Sequence, residues 1–459
     1  MKKKYLVAVT MAMAGMIGAA DIAMAGVSAE EAAALKTTLT PMGAEKAGNA
    51  DGTIPAWAGG YDGPYPAEEL KKGDRRWNPF ADEKPLFSIT KQNMDQYADK
   101  LTDGMKAVLA SVPGYRMDVY PTHRTASAPD WVYENTFKNA TEGSLVGDGD
   151  GVAGSFGGIP FPIPKNGYEV RWNQCLRWRG EGAMFNRTRH SSVTEAGDRV
   201  LGSQTHEREQ VFFYNRSGTS PADFDDTAST YLQFGESPAF RAGEGLLSLS
   251  STDFTKKDSQ SWQYLVGQRR VRRAPSIGHD TPDFVNSGVN FFDEVFGGNC
   301  DFERFEMKLV GKKEIYIPYN NNRLLSATED EVFGENSINP DLVRWELHRV
   351  WVVEATVKPG QRHAVARRMF YQDEDTWGTS VMEGWDASGA MWKASVNPAY
   401  LLPDMPGVMA SYTDFQYNLL TQTYSARNLM FDPEAQMRFE DPLPLSYYSP
   451  DSLQSLGVR

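Results

Sequence analysis

Apolar and polar positions alternate most clearly between Arg344 and Val357. Trp345, Leu347, Arg349, Trp351, Val353, Ala355 and Val357 fall on one face of an extended chain, and Glu346, His348, Val350, Val352, Glu354 and Thr356 on the other. Lys358-Pro359-Gly360 supplies a turn, after which His363 to Tyr371 returns as an antiparallel partner. Asp386-Ala387-Ser388-Gly389 makes a similar turn between Val381–Trp385 and Ala390–Ala394. Consecutive hairpins of this kind predict a large antiparallel sheet over residues 128–395, where short β-like runs separated by turn residues dominate.

Helical spacing is rarer. Met94, Tyr97, Leu101, Met105, Val108 and Leu109 recur along one face, which predicts a helix over 91–112 ended by Pro113-Gly114. Such a face either packs on a sheet or lines a hydrophobic cavity. Ser28-Ala29-Glu30-Glu31 is a capping-box pattern heading a short helix to about Leu35. Thr40 to Pro85 is rich in Gly, Pro and Trp and reads as part of an ordered arm over 26–90, because Trp57, Trp77 and Phe80 need somewhere to bury. The run GGIPFPIP, Gly157 to Pro164, cannot sit in a central strand and is expected across a sheet edge or end. Gly147 to Gly151 lacks the later ligands of a calcium loop and reads as a turn. Residues 396–459 read as a Pro- and Tyr-rich tail with a short helix near Glu434–Arg438.

The N-terminus carries a different signal. Lys2, Lys3 and Lys4 precede an apolar stretch from Tyr5 to Ala20, and Ala23-Met24-Ala25 forms a small-x-small site. The apolar run is shorter than the ~20 residues of a spanning helix, and Asp21 interrupts it. Residues 1–25 are therefore expected to be a signal peptide cleaved after Ala25, with no Cys following to take a lipid. The remainder, 26–459, is expected to work as a single soluble domain in the periplasm.

Composition narrows the partners. The 459-residue chain has a net charge of −13, which disfavours nucleic acid because like charges repel. Cys175 and Cys300 are its two cysteines, and an oxidising compartment allows a disulfide between them; two separate buried thiols fit the sequence equally well.

Candidate chemistry is sparse. There is no GxGxxG, Walker A loop, GxSxG elbow or HExxH, so no cofactor, metal or catalytic residue is called for. His123, His190, His206, His279, His348 and His363 are scattered without ligand spacing. Asp373-Glu374-Asp375 reads as a solvated turn, or as a partner for Arg269-Arg270-Val271-Arg272-Arg273, in preference to a cation site or an acid/base pair. If the strand from Trp262 continues through the arginines, Arg269 and Arg273 face one way and Arg270 and Arg272 the other. Salt bridging within the protein is the simpler fate for most of the four, and an anionic headgroup or an acidic partner the alternative.

Six runs resemble one family: LTPMGAEKAGNADGTIPAWAGG from Leu39, VYPTHRTASAP from Val119, GGIPFPIPKNG from Gly157, GQRRVRRAP from Gly267, WELHRVWVVEA from Trp345 and FYQDEDTW from Phe370. They are similar to the outer-membrane lipoprotein-sorting-like proteins, domain-of-unknown-function family 1329. Asn173-Gln174-Cys175 departs from the family pattern, which has Asn-His there more often. The resemblance implies a mainly β (α+β) fold like the lipoprotein carriers LolA and LolB, an open, curved antiparallel sheet around one or more helices with an apolar concave face. It also implies the company of a resistance-nodulation-division (MMPL-like) inner-membrane exporter and an outer-membrane protein. The resulting expectation is a non-enzymatic periplasmic carrier or adaptor for lipids or other hydrophobic molecules. Tyr97, Leu101, Met105, Trp345, Leu347, Trp351 and Val353 are the guessed lining, and Arg269, Arg270, Arg272 and Arg273 the headgroup or partner contacts. A scaffold subunit of an export assembly is the first alternative. An envelope lipid or glycan hydrolase using Glu346 and Glu354 is the second.

Overall fold

The alternating segments pair into one 17-stranded sheet in a computed structural model that describes residues 26–200, 202–214, 224–274, 278–283, 286, 288–430 and 434–457. The signal segment 1–25 lies outside the described residues. A first meander comprises β1 (Gly182–Val193), β2 (Gln204–Gln210), β3 (Thr227–Ser237), β4 (Gly245–Ser251), β5 (Gln260–Leu265) and β6 (Arg270–Arg273). A second comprises β7 (Phe305–Pro318), β8 (Arg344–Val357), β9 (Arg367–Asp373), β10 (Thr379–Trp385), β11 (Met391–Val396), β12 (Asp414–Asn418) and β13 (Thr423–Leu429). Antiparallel pairing of β13 with β1 joins the two, and β14 (Gln436–Phe439) takes the first part of β1. The ribbon thus ends at β7 and β6. Met117–Val119 adds a short parallel pairing at the start of β8, with Phe87–Ile89 beside it.

Curvature is visible in what one helix touches. The helix α3 (Gly167–Cys175), third after α1 (Asp103–Ser111) and α2 (Asp130–Glu142), packs on β7 and β8. Its Trp172 also meets Phe302 at 5.5 Å and Phe254, beyond β4, at 6.1 Å between ring centroids. Eight of its nine residues are buried, so the sheet wraps a helix that is enclosed on every side. A smaller apolar layer, including Leu232, Leu247, Tyr264 and Leu453, lies between β3–β5 and the C-terminal helix α4 (Pro450–Gly457).

Several expectations need correction. The stretch 91–112 is not one helix: Met94–Lys100 is 3-10, Leu101 is extended, and Thr102 caps α1 by accepting a hydrogen bond from Met105 N. A good N-cap inside the periodic run starts the helix afresh. The supposed tail supplies three strands to the large sheet, β12, β13 and β14, besides a small hairpin of Tyr400–Leu402 with Gly407–Met409, and β14 occupies the site of the helix expected at Glu434–Arg438. The longest helix among the described residues, α2, gave no apolar stripe because its buried face carries Thr136 and Asn139. Thr136 Oγ1 accepts from Ile159 N, while Asn139 Nδ2 donates to Gly158 O and Ile159 O, so these side chains satisfy the GGIPFPIP backbone, which lies beside α2, with Gly157 N bonded to Phe213 O just past the end of β2. The N-terminal capping box forms at Ser28 and Glu31 as its sequence predicts.

Candidate functional site

The turn from β9 into β10 holds a cluster of buried charge. β9 ends at Asp373, whose Oδ2 accepts from Thr376 N at 2.9 Å and Thr376 Oγ1 at 2.7 Å, turning the chain back at once. Trp377 sits in the turn at φ +62°, a left-handed conformation that costs a bulky residue roughly 1–3 kcal/mol. Its indole is tied to Met42 O at 2.9 Å and stacks on Trp351 at 6.1 Å, which holds the strained turn in place.

This turn is buried, not solvated, and the arginines of 269–273 do not reach it. Asp375 takes both prongs of Arg124, at 2.7 and 2.9 Å; Glu374 takes Arg349 Nε and Lys312 Nζ, each at 2.8 Å. On β8, Glu346 accepts from His348 Nε2 at 3.2 Å, Asn320 Nδ2 at 3.0 Å and His123 N at 2.8 Å, and pairs with Arg344. The other ring nitrogen of His348, Nδ1, lies 3.7 Å from Asp373 Oδ1. The Tyr319 ring covers the imidazole at 4.2 Å, and its hydroxyl, like Asp373 Oδ1, has no hydrogen-bond partner.

Electrostatics follows from this geometry. Burial, reinforced by the charge of Asp375, pushes the Asp373 carboxyl up to about 7. Burial works against charge on His348, yet the hydrogen bond to Glu346 and the charge of Asp373 hold it above the usual imidazole range. Burial likewise opposes ionisation of Glu346, and contacts with His348 and Arg344 keep its pKa below the usual value. Four of the six runs that carry the family resemblance meet here, through Met42–Ala47, His123–Arg124, Glu346–Arg349 and Asp373–Trp377. Arg124 and Tyr319 were not singled out from the sequence. Only the i, i+2 spacing of Glu346 and His348 along a strand hinted that side chains would converge.

The guessed lining residues lie in the packed interior. Met105 and Val353 are 0 % exposed and Trp345 1 %; Leu347 and Leu101 are also buried, while Trp351 and Tyr97 are half-buried. Val353 pairs with Phe370, over which the Arg171 guanidinium of α3 stacks at 3.9 Å. Gly104 N, at the start of α1, bonds Glu383 Oε1, and Glu383 pairs with Met369 on the opposite face from Phe370. Helix and strand guesses near β9 therefore do not line one surface. Cys175, ending α3, is joined to Cys300 by a disulfide.

Glu346 and Glu354 are eight residues apart on one strand, which separates them by roughly 26 Å, beyond the ~5–9.5 Å between glycosidase carboxylates. That excludes the proposed carboxylate pair.

The arginines form a surface of their own. Val266–Gln268 turns the chain, with Arg269 left-handed, so β6 folds back on β5 and the strand does not continue through them. Arg269, Arg270, Arg272 and Arg273 are exposed and make no ion pair among the described residues, contrary to internal salt bridging. The neighbouring loop Pro238–Glu244 bears Phe240, 79 % exposed, and its Gly243 backs onto Val266, itself 37 % exposed. The two hairpin tips are therefore side by side.

Comparison with known proteins agrees with the sequence. The profile of the family described as "Protein of unknown function (DUF1329)" matches residues 88–454. An uncharacterized protein of Pseudomonas aeruginosa, PA3922, is 40% identical over 445 residues, 95% of each chain. Among solved structures, a domain described as an outer membrane lipoprotein-sorting protein from Vibrio parahaemolyticus is 14% identical with a TM-score of 0.42, covering 62% of this chain and 97% of that one. A DUF1329 protein from Desulfovibrio piger gives 13%, 0.40, 62% and 97%, and a LolA superfamily protein from Nitrosomonas europaea 10%, 0.37, 63% and 100%.

Proposed function

The chain belongs to the DUF1329 family, and from that premise we propose a non-enzymatic carrier or adaptor of the cell envelope that engages lipids or similar hydrophobic molecules at a membrane surface. One observation carries the reading: the paired hairpin tips display Phe240 and Val266 beside four exposed arginines (269, 270, 272 and 273), with Glu236 and Glu244 nearby, on a chain of net charge −13. Arg269, Arg270, Arg272 and Arg273 contact anionic headgroups, and Phe240 enters the boundary with the acyl chains. Burying one Phe is worth ~2 kcal/mol and each arginine near an anionic surface ~1 kcal/mol. Together these give ~6 kcal/mol, reversible binding at tens of micromolar, suited to a protein that leaves the membrane again.

No helix among the described residues is long and apolar enough to cross a membrane, in keeping with a periplasmic protein released from the signal segment after Ala25. Should Trp345, Leu347, Trp351, Val353, Tyr97, Leu101 and Met105 shelter cargo, the packed interior must first open. That packing favours a second reading, a scaffold between an RND/MMPL-type exporter and an outer-membrane protein. Native mass spectrometry and lipid extraction of the protein purified from the periplasm separate the two. Co-purifying lipid supports the carrier; no lipid, and none loadable, with exporter components recovered by crosslinking, supports the scaffold.

A further inference from the structure

We propose that His348 Nδ1, Asp373 Oδ1 and a carboxylate oxygen of Asp375 form a binding site for one divalent transition-metal cation of the zinc or manganese type. One donor atom of each residue lies within 4.8 Å of the others, His348 Nδ1 is 3.7 Å from Asp373 Oδ1, and all three residues are buried. Metal–donor distances of ~2.0–2.6 Å are within reach of such a set after small side-chain movements.

Three features distinguish this cluster from an ordinary buried ion-pair network. First, the ring is oriented as a ligand. Nε2 is engaged by Glu346 Oε2 at 3.2 Å, leaving Nδ1 towards Asp373, and a carboxylate on the far nitrogen is the usual support of a metal-bound imidazole. Second, every other carboxylate of the network has an arginine or lysine: Glu346 has Arg344, Glu374 has Arg349 and Lys312, and Asp375 has Arg124. Asp373 is 0 % exposed, and among the described residues its one ion-pair contact is His348 at 3.7 Å, with the charge of Arg124 acting from farther away. Third, Asp373 Oδ1 and the fully buried Tyr319 hydroxyl beside the imidazole are both left without hydrogen bonds. Both hydrogen bonds from Thr376 go to Asp373 Oδ2, so Oδ1 stays open to a cation. Arg124 does not block it, since each Asp375 oxygen that accepts one N–H keeps a further lone pair.

The mixture of imidazole and carboxylate favours a borderline transition metal over calcium or magnesium. A small surface cleft lined in part by Phe80, Tyr120, Asn320 and Arg344 lies against Glu346, because Asn320 and Arg344 both bond that carboxylate.

The test uses the full mature chain, stripped with chelator and titrated with zinc or manganese by calorimetry and native mass spectrometry. One cation per chain is expected. Asp373→Asn and His348→Gln, verified as folded by circular dichroism, abolish uptake, and Glu346→Gln weakens it ~10–100-fold through the loosened imidazole. His279→Ala leaves it unchanged, although His279, Asp301 and Glu303 form a second, more exposed grouping. Where Asp373→Asn does not fold, unchanged stoichiometry in His279→Ala, with an X-ray absorption shell of one imidazole nitrogen and oxygens, supports the site. Failure of folded wild type to take up either cation at millimolar concentration overturns it. So do retained binding in folded Asp373→Asn and loss of binding in His279→Ala.

Discussion

Replacing Glu383 by Gln isolates the consequence of one buried acid. Glu383 on β10 is 1 % exposed and faces the start of α1, where Gly104 N donates to Oε1 at 2.5 Å and Tyr371 OH to Oε2 at 3.3 Å. Burial pushes its carboxyl up to about 7 from the ordinary 4.5. The folded chain thus holds a proton that the unfolded chain has lost across this window. Its stabilising contribution is fully present below about pH 4.5 and is lost as pH rises through about 7, a total of about 3 kcal/mol. Gln mimics the protonated acid at every pH. The difference in unfolding free energy, variant minus wild type, should therefore climb by about 2–3 kcal/mol between roughly pH 5 and pH 8, read from urea transitions followed by tryptophan fluorescence. Other buried acids titrate identically in both proteins and cancel in the difference. A difference that stays flat over this range would refute the reasoning. It would mean that the carboxylate ionises normally and that the helix N-terminus, not burial, decides its charge.

Three further outcomes are expected. Cys300→Ser opens a bond spanning 125 residues of sequence and should lower stability by about 2–5 kcal/mol, with the same loss in wild type under reductant. Trp345→Ala, at a site 1 % exposed, should cost about 3–5 kcal/mol by thermal or chemical unfolding; a cost below about 1 kcal/mol would show that its ring lines open space. Arg270→Glu with Arg272→Glu, both on exposed edge positions, should leave stability within about 0.5 kcal/mol of wild type.

How much of this was legible in the sequence depended on what each face buries. β8 announced itself because its pleat alternates, and the β8–β9 and β10–β11 hairpins followed from their turns. α2 and α3 were invisible because helical periodicity is a contrast between faces. α3 has none, being enclosed all round with Glu169, Arg171, Asn173 and Gln174 inside, and α2 buries Thr136 and Asn139. β12 to β14 were lost among the aromatic and proline residues of a segment that completes the sheet when β13 and β14 pair with β1, where even the partners nearest in sequence are Tyr424 and Val193, a relation that no local window contains. The Asp373–Asp375 turn was misread for a similar reason. Its partners Arg124, Arg349 and Lys312 come from three distant segments, so the sequence showed an acidic run without the cations that allow its burial.

The claim that the protein works at a lipid surface is tested most directly by flotation with vesicles. Wild type should float with vesicles of phosphatidylglycerol and phosphatidylethanolamine and remain behind with neutral phosphatidylcholine. High salt should weaken the association, as screening requires, and Arg270→Glu with Arg272→Glu, or Phe240→Ser, should abolish it while the fold persists. Equal recovery of wild type and these folded variants with anionic vesicles, or no flotation of wild type at low salt, would contradict the account.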